Sequence, residues 1–455
     1  MFNFNLRVIG LIALVSFSNT LLCAQRKLKT EKLFQFSIAP GVGTNGLEPG
    51  SFNNHFSFNL TSGYSASNSV LEIAMISNLN TNRTGGLQFA GLANLTGANA
   101  FAGLQPKEKD AKLRSGFEAN LVGAQFSGVT NVVITNVFGS QITGGVNLVK
   151  GALMGFQLAG VSNVVHKYSF GVQVAGISNA SQQSMDGVQV ALLSNYTSGG
   201  LYGVQVGVFN KIGYSEGKNS TDNNDATGIQ IGLVNDADKM NGLQIGLINR
   251  GKHVQGTQIG LINIYRGGKD KGTKDGTSIG LINIGDFGYL AVYANEMFGF
   301  NYELSTGNIK NKRMQADRNI NIQSTLIYSR NAWGSDRNGQ WAFGYGLKKM
   351  IFNRSFTPGM NEFRFHSYGI DFVHLNKEAR KIAKEFNLLS RFNVMVGTRL
   401  APKLLNVYVF GGLTANVYYG QIGDDSSSGF LSWDKEANGK LIKYWPGISF
   451  GVLLH

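Results

Sequence analysis

The chain has one cysteine, Cys23, and it lies close to the amino terminus. Cleavage after Ala24 would leave no thiol at all, excluding disulfides, thiolate metal sites and a cysteine nucleophile. Proline is scarce too, at 6 residues against 60 glycines in 455. That ratio suits β-structure with tight turns and speaks against a disordered or collagen-like chain. After the first 24 residues no stretch reaches the ~18 uninterrupted apolar residues of a spanning helix. Membrane residence would therefore have to come from β-strands. The net charge of +14 is spread over both halves, whereas a nucleic-acid protein concentrates it, so nucleic acid is not an expected partner. Solubility, or attraction to acidic lipid and polysaccharide surfaces, accounts for the sign.

Residues 1–24 carry the marks of a secretory signal peptide. Arg7 is the charged start, Val8 to Phe17 the apolar core, and Ala24 the small residue before Gln25. A lipoprotein reading would place Cys23 at the cleavage site, but a small residue normally precedes such a cysteine and here it is Leu22.

What the chain has in abundance is a repeat. Gly-x-Gln returns at Gly123, Gly139, Gly155, Gly171, Gly187 and Gly203, sixteen residues apart each time. Each copy runs on to an Asn, as in Gly171-Val-Gln-Val-Ala-Gly-Ile-Ser-Asn179. Earlier copies start at Gly86 and Gly103, with a charged insertion at Pro106 to Arg114. A polar insertion spans Lys211 to Thr227, and copies resume at Gly228, Gly242 and Gly256 with a period of fourteen. A last copy at Gly276 has Ser278 in place of Gln. A fixed short period means stacked, near-identical units. The long copies hold one extra residue before the second Gly, such as Ala175, which reads as a β-bulge.

Alternation of Ile229, Ile231 and Leu233 with Gln230, Gly232 and Val234 signals strands, and the recurrent Gly and Asn mark turns. Sixteen residues less two turns leave strands of about six, too short for the ~9–11 of a membrane-spanning strand. A β-solenoid over 85–285 is the better solution, with Gln125, Gln141, Gln157, Gln173, Gln189 and Gln205 forming an amide ladder. Asn131, Asn147, Asn163, Asn179 and Asn195 would form a second ladder at the corner, and Gly would open each strand with positive φ. Short hairpins in an antiparallel meander are the alternative. The other part of each coil, such as Ala180 to Asp186 or Asp236 to Asn241, varies more. It is either a simple solvated wall or a binding surface confined to one face.

The flanks read differently. Asn319 to Arg330, Trp341 to Leu347, Glu362 to Leu375, Phe392 to Ala401, Asn406 to Gly420 and the terminal Ile448 to Leu454 are longer, aromatic-rich and alternating. Leu33 to Pro40, His55 to Tyr64 and Val70 to Ser77 add candidates in front. Segments of ~10 residues ending on an apolar terminal strand are the signature of an outer-membrane barrel. This predicts an antiparallel barrel of about ten to twelve strands, built from 25–84 and 286–455. Gly423 to Lys443 reads as an external loop, and Asn376 to Leu389 has the periodicity of a short helix.

With its export signal, tandem Gly-x-Gln-x-Ala-Gly-x-x-Asn copies and aromatic C-terminal strands, the chain resembles surface-repeat outer-membrane proteins of Bacteroidetes- and Leptospira-type bacteria. The repeat likeness covers about 200 residues. It implies location and architecture in the outer membrane of a Gram-negative cell, with no defined activity and no residues to carry across.

Motifs of catalysis are absent or lack context. Gly213-Tyr-Ser215-Glu-Gly217 has the nucleophile-elbow pattern, which needs a strand, a strained turn and a helix. A polar insertion follows it, and the same pattern recurs at Gly276 to Gly280 and Gly447 to Gly451. The histidines are dispersed, and His366 and His374 lie roughly 26 Å apart in an extended segment. The acidic run Thr221 to Asp225 lacks the Gly and terminal Glu of a calcium loop. The expectation is an all-β, non-enzymatic outer-membrane surface or structural protein, with no catalytic, cofactor or metal site. Its expected partners are the lipid bilayer and an extracellular polymer, protein or host surface. The alternative is a transport or channel barrel with the repeat block lining or plugging the lumen.

Overall fold

A computed structural model describes residues 30–97, 119–213, 227–265, 276–285, 287–307, 310–311, 322–331, 340–354, 363–376, 382–384, 386–400, 407–420, 432–437 and 440–454. The signal-peptide reading, the copy at Gly103 and the Gly213 to Gly217 motif therefore lie outside the described residues. The chain is all-β, with a β-solenoid of about 12 turns and a closed 8-strand antiparallel barrel. It divides into two compact units, residues 1–207 and 208–455.

In the first unit each coil is a longer strand, a bend, and a short return strand. Ser169–Ala175 leads to the return strand Ser178–Ser181, and Met185–Ala191 begins the next coil. Neighbouring coils pair in parallel, Gln173 opposite Gln189 and Asn179 opposite Asn195. Parallel pairing excludes the antiparallel meander. The Gln column runs through Gln88, Gln125, Gln141, Gln157, Gln173, Gln189 and Gln205, all fully buried. Along it each Nε2 donates to the Oε1 one coil earlier, at 2.8 Å from Gln157 to Gln141 and from Gln173 to Gln157. The Asn column donates the other way: Asn163 Nδ2 reaches Asn179 Oδ1 at 2.9 Å and the Val174 carbonyl at 2.8 Å. Beside the amides lies an apolar column of Leu121, Val133, Val137, Val149, Leu153 and Val165.

Two local readings change. The long copies stay in register across the extra residue, as in Leu153–Ala159 against Ser169–Ala175, so that residue is no bulge. Ala159, Ala175 and Ala191 point inward and carry the strand one residue further before the bend. Nor does Gly open the strand. Gly171 is the third residue of its strand, with φ +129°, and a Cβ there would lie 2.0 Å from the Gly155 carbonyl oxygen. The column is glycine because consecutive coils touch through their backbones.

The solenoid also reaches further forward than residue 85. Thr30–Ala39 pairs in parallel with Phe52–Asn59, which pairs in parallel with Ser62–Ala74, and that with Ser77–Ala90. The segment 25–84 was expected to supply barrel strands, and its described residues supply coils. Its alternation hides the difference, because Gln35, Asn54, Ser57 and Asn68 are the buried positions. Glu72 stands in the Gln column, one coil before Gln88. At the front Val42–Gly43 turns back antiparallel onto Ser37–Ala39, and Asn45 Nδ2 donates to Gln35 Oε1 at 3.1 Å.

The second unit holds the shorter coils and the barrel. Gln230, Gln244 and Gln258 stack at 2.7 Å, and Ser278 Oγ ends the column by donating to Gln258 at 3.0 Å. Asn235, Asn249, Asn263 and Asn283 continue in the same manner. Then eight antiparallel strands follow: Phe287–Asn295, Phe300–Gly307, Gln323–Arg330, Trp341–Arg354, Phe363–Asn376, Leu388–Arg399, Val407–Gly420 and Lys440–Leu454. The last pairs with the first, Leu454 opposite Leu290, which closes the cylinder. Eight strands replace the ten to twelve expected, since the front segments went to the solenoid. Within 423–443 the described residues form a hairpin, Trp433–Ala437 against Lys440–Tyr444, where a loop was expected. The described residues among 377–387 contain no helix, and Ile382 and Phe386 are exposed.

Candidate functional site

The barrel is turned inside out relative to a soluble β-protein. Along Leu388–Arg399, buried Arg391, Asn393 and Met395 alternate with exposed Phe392, Val394 and Val396. Along the final strand, buried Lys443, Trp445 and Ser449 alternate with Tyr444, Ile448 and Phe450, the last 69% exposed. Period-two alternation sends successive side chains to opposite faces, so the strands turn apolar residues outward, while their inward faces carry the barrel's buried polar and charged residues together with further apolar ones. Aromatic rings form a row along one end of the cylinder, over four adjacent strands. Phe300, Tyr302, Tyr328, Trp341 and Phe343 follow one another at centroid distances of 5.7–6.5 Å, and His374 joins Phe343 at 5.5 Å.

The interior is filled by the barrel's own side chains. Lys348 Nζ bonds the Glu303 carboxylate and lies 3.8 Å from Asp371 Oδ1. Tyr289 donates to Glu303 Oε1 at 2.5 Å, and Asn393 Nδ2 to Asp371 Oδ2 at 2.9 Å. Arg391 Nε donates to Asn416 Oδ1 at 3.2 Å, and Asn416 Nδ2 passes the chain of bonds to Glu296 at 2.9 Å. Apolar clusters flank this network, one around Tyr289, Met350, Phe365 and Phe410, the other around Phe298, Leu389, Tyr418 and Trp445. Between Tyr289, Met350, Phe365 and Phe410 the packing leaves no cavity that would hold a water molecule. These inward charges were missed in the sequence. Their signal was parity: Arg391 shares its strand face with buried Asn393, and Asp371 with buried Ser367.

No protein-family model, curated protein or solved structure matches this chain.

The motifs with catalytic spelling are placed in regular strands. Ser278 is buried in the amide column, and Ser449 lies buried in the closing barrel strand, so neither sits on a strained turn. His366 and His374 share one strand, Phe363–Asn376. Among the described residues no three His, Cys, Asp or Glu side chains come together to hold a metal ion.

The solenoid has two contrasting walls. The Gly-x-Gln wall points Ile231, Leu233, Ile245, Leu247, Ile259 and Leu261 outward, and Leu247 is 53% exposed. The return wall is charged in these coils, where Arg250 lies 3.8 Å from Asp236 and Lys252 2.8 Å from Asp238. The final coil rests on the outer face of the barrel. Ser324 and Tyr345 hydroxyls both donate to the Gly280 carbonyl, the first at 2.7 Å, and Asn283 Nδ2 bonds Ser324 Oγ.

Proposed function

We propose that this protein is a non-enzymatic outer-membrane barrel that anchors a β-solenoid as a binding scaffold. The observation that carries the reading is the barrel's outer face, apolar and exposed, with a row of aromatic side chains along one end and ion pairs held inside. Water would penalise that outer face, whereas hydrocarbon favours it and demands a closed cylinder without free edges. The packed interior supports anchoring over conduction, because a transport pathway needs an aqueous lumen. The return wall, variable from coil to coil, is the surface offered to a polymer, another protein or a host surface.

Heat-modifiable migration of the full chain in purified outer membranes tests the reading. Unboiled and boiled samples should run differently, since a closed barrel resists detergent until heated. Recovery in the soluble fraction, or identical migration, would overturn it.

A further inference from the structure

The repeat wall that carries Gly-x-Gln is the largest feature the anchoring role leaves unused. Its outward positions repeat as rows of aliphatic and aromatic side chains. In the second unit the rows read Ile229-Gln-Ile-Gly-Leu-Val234, Leu243-Gln-Ile-Gly-Leu-Ile248, Thr257-Gln-Ile-Gly-Leu-Ile262 and Thr277-Ser-Ile-Gly-Leu-Ile282. The Gln and Ser side chains turn inward, so no charged group remains on the outside. At about 4.8 Å per rung and ~3.3 Å per residue these four rows cover ~400 Å². The first unit repeats the pattern over more rungs, with Ile73, Leu87, Leu158, Val190 and Leu192 exposed, and Asp186 and Tyr202 standing outward among them. There Ala74, Phe89, Phe126 and Ile142 line a shallow apolar hollow of about 550 Å³. Monomeric soluble proteins rarely leave such patches open to water.

We propose that the coils of the second unit lie against the bilayer, with their Gly-x-Gln wall in contact with lipid. The inference rests on the barrel being the membrane anchor. Three observations favour lipid over a protein partner. The last coil bonds the outer face of the barrel at Ser324 and Tyr345, on strands whose next outward residues, Leu326 and Tyr328, belong to the apolar belt. The wall thus begins where lipid is already in contact. Second, the rows are almost purely aliphatic and near-identical, without the Arg, Tyr and hydrogen-bonding groups that give a protein interface its register. Third, the charged residues of the same coils, Asp236, Asp238, Arg250 and Lys252, all stand on the return wall. This two-faced distribution is that of an element lying in the membrane interface.

Spin labels on the full chain, reconstituted in phosphatidylethanolamine–phosphatidylglycerol vesicles, decide the matter. Cys23→Ser removes the only native thiol. Single variants Leu261→Cys, Leu247→Cys, Lys252→Cys and Val394→Cys then place nitroxides on the wall, the return face and the barrel. Labels at 261 and 247 should match 394 in favouring oxygen, and collide with a water-soluble nickel chelate about 5-fold less than 252. If 247 behaves like 252 while 394 stays in lipid, the wall faces water and the inference fails with the anchor intact. If 394 also reads as water, the anchoring role fails and the inference with it. Spin–spin broadening at 247 that disappears on dilution with unlabelled protein would show a second copy covering the wall, which also overturns the inference.

Discussion

Replacing Glu72 by Gln should stabilise the early coils of the solenoid and remove most of their pH dependence near neutrality. Glu72 stands where the repeat elsewhere has Gln, and it is fully buried. Its Oε2 accepts from Asn80 Nδ2 at 2.7 Å and from Gln88 Nε2 at 2.9 Å. Both partners are neutral amides, so no positive charge offsets the loss of solvent. Burial lifts the carboxyl from an ordinary 4.5 to about 7, and the two hydrogen bonds only moderate the rise. The folded chain therefore binds a proton that the unfolded chain has lost between pH 4.5 and 7. Stability is fully present below the lower value, falls as pH rises through the window, and is flat above it. At about 1.36 kcal/mol per pH unit, the gap of about 2.5 corresponds to ~3 kcal/mol. Gln would keep the same two accepted bonds through Oε1 and carry no charge at any pH. The assay is hydrogen–deuterium exchange of the full chain in detergent micelles, corrected for intrinsic exchange, on peptides from Ser62–Ala74 and Ser77–Ala90. Opening free energies there should drop by ~2.5 kcal/mol from pH 5 to pH 8 in the native chain and stay level in Glu72→Gln. Equal pH profiles for the two proteins would refute the assignment to Glu72.

Three further outcomes are expected. Gly171→Ala should destabilise the coil by about 3–5 kcal/mol, because the backbone conformation disfavours a side chain and the methyl meets the Gly155 carbonyl; exchange protection in Leu153–Ala159 and Met185–Ala191 reports it, and native-like protection would contradict the stacking geometry. Asn163→Leu leaves the Asn147 Nδ2 donor and the Asn179 Oδ1 acceptor without their partner, at about 2–4 kcal/mol, read from the urea midpoint of the far-ultraviolet circular dichroism signal. Lys348→Ala strands Glu303 and Asp371 in the barrel interior and should cost about 3–5 kcal/mol; the temperature at which the unboiled gel band converts to the boiled one should fall, and an unchanged temperature would mean the ion cluster contributes little.

The solenoid was legible because its signal is translational. A Gln every sixteen residues is buried on every coil, and period alone predicts the ladder from Gln125 to Gln205. The early coils escaped because Ser57 and Glu72 occupy the Gln positions, so the spacing motif is lost while the inward parity survives. The strands from Trp341 onward were found by their length and alternation, but pairing order and closure are non-local and leave no mark in a single segment. Glycine was assigned to turns on local grounds. Its real constraint, the carbonyl of the coil beneath, is a contact between residues sixteen apart. Inward charges such as Lys348 look like ordinary surface residues until the strand's two faces are told apart.

Stacked amide columns have no intrinsic length. Each coil hands its neighbour the same donors, acceptors and strand edge, so a bare end is a template on which another chain can add, as in a growing fibril. Here both ends of the stack are occupied. At the front, Val42–Gly43 covers part of the first strand and Asn45 enters the column. At the back, Ser278 closes the Gln column and the barrel's Ser324 takes the outstanding Asn283 donor. The barrel is thus a terminator of the stack: it makes an open-ended polymer geometry into a protein of fixed size. A chain that exposed its last coil before Ser324 and Tyr345 had reached their places would carry a sticky edge while it folds.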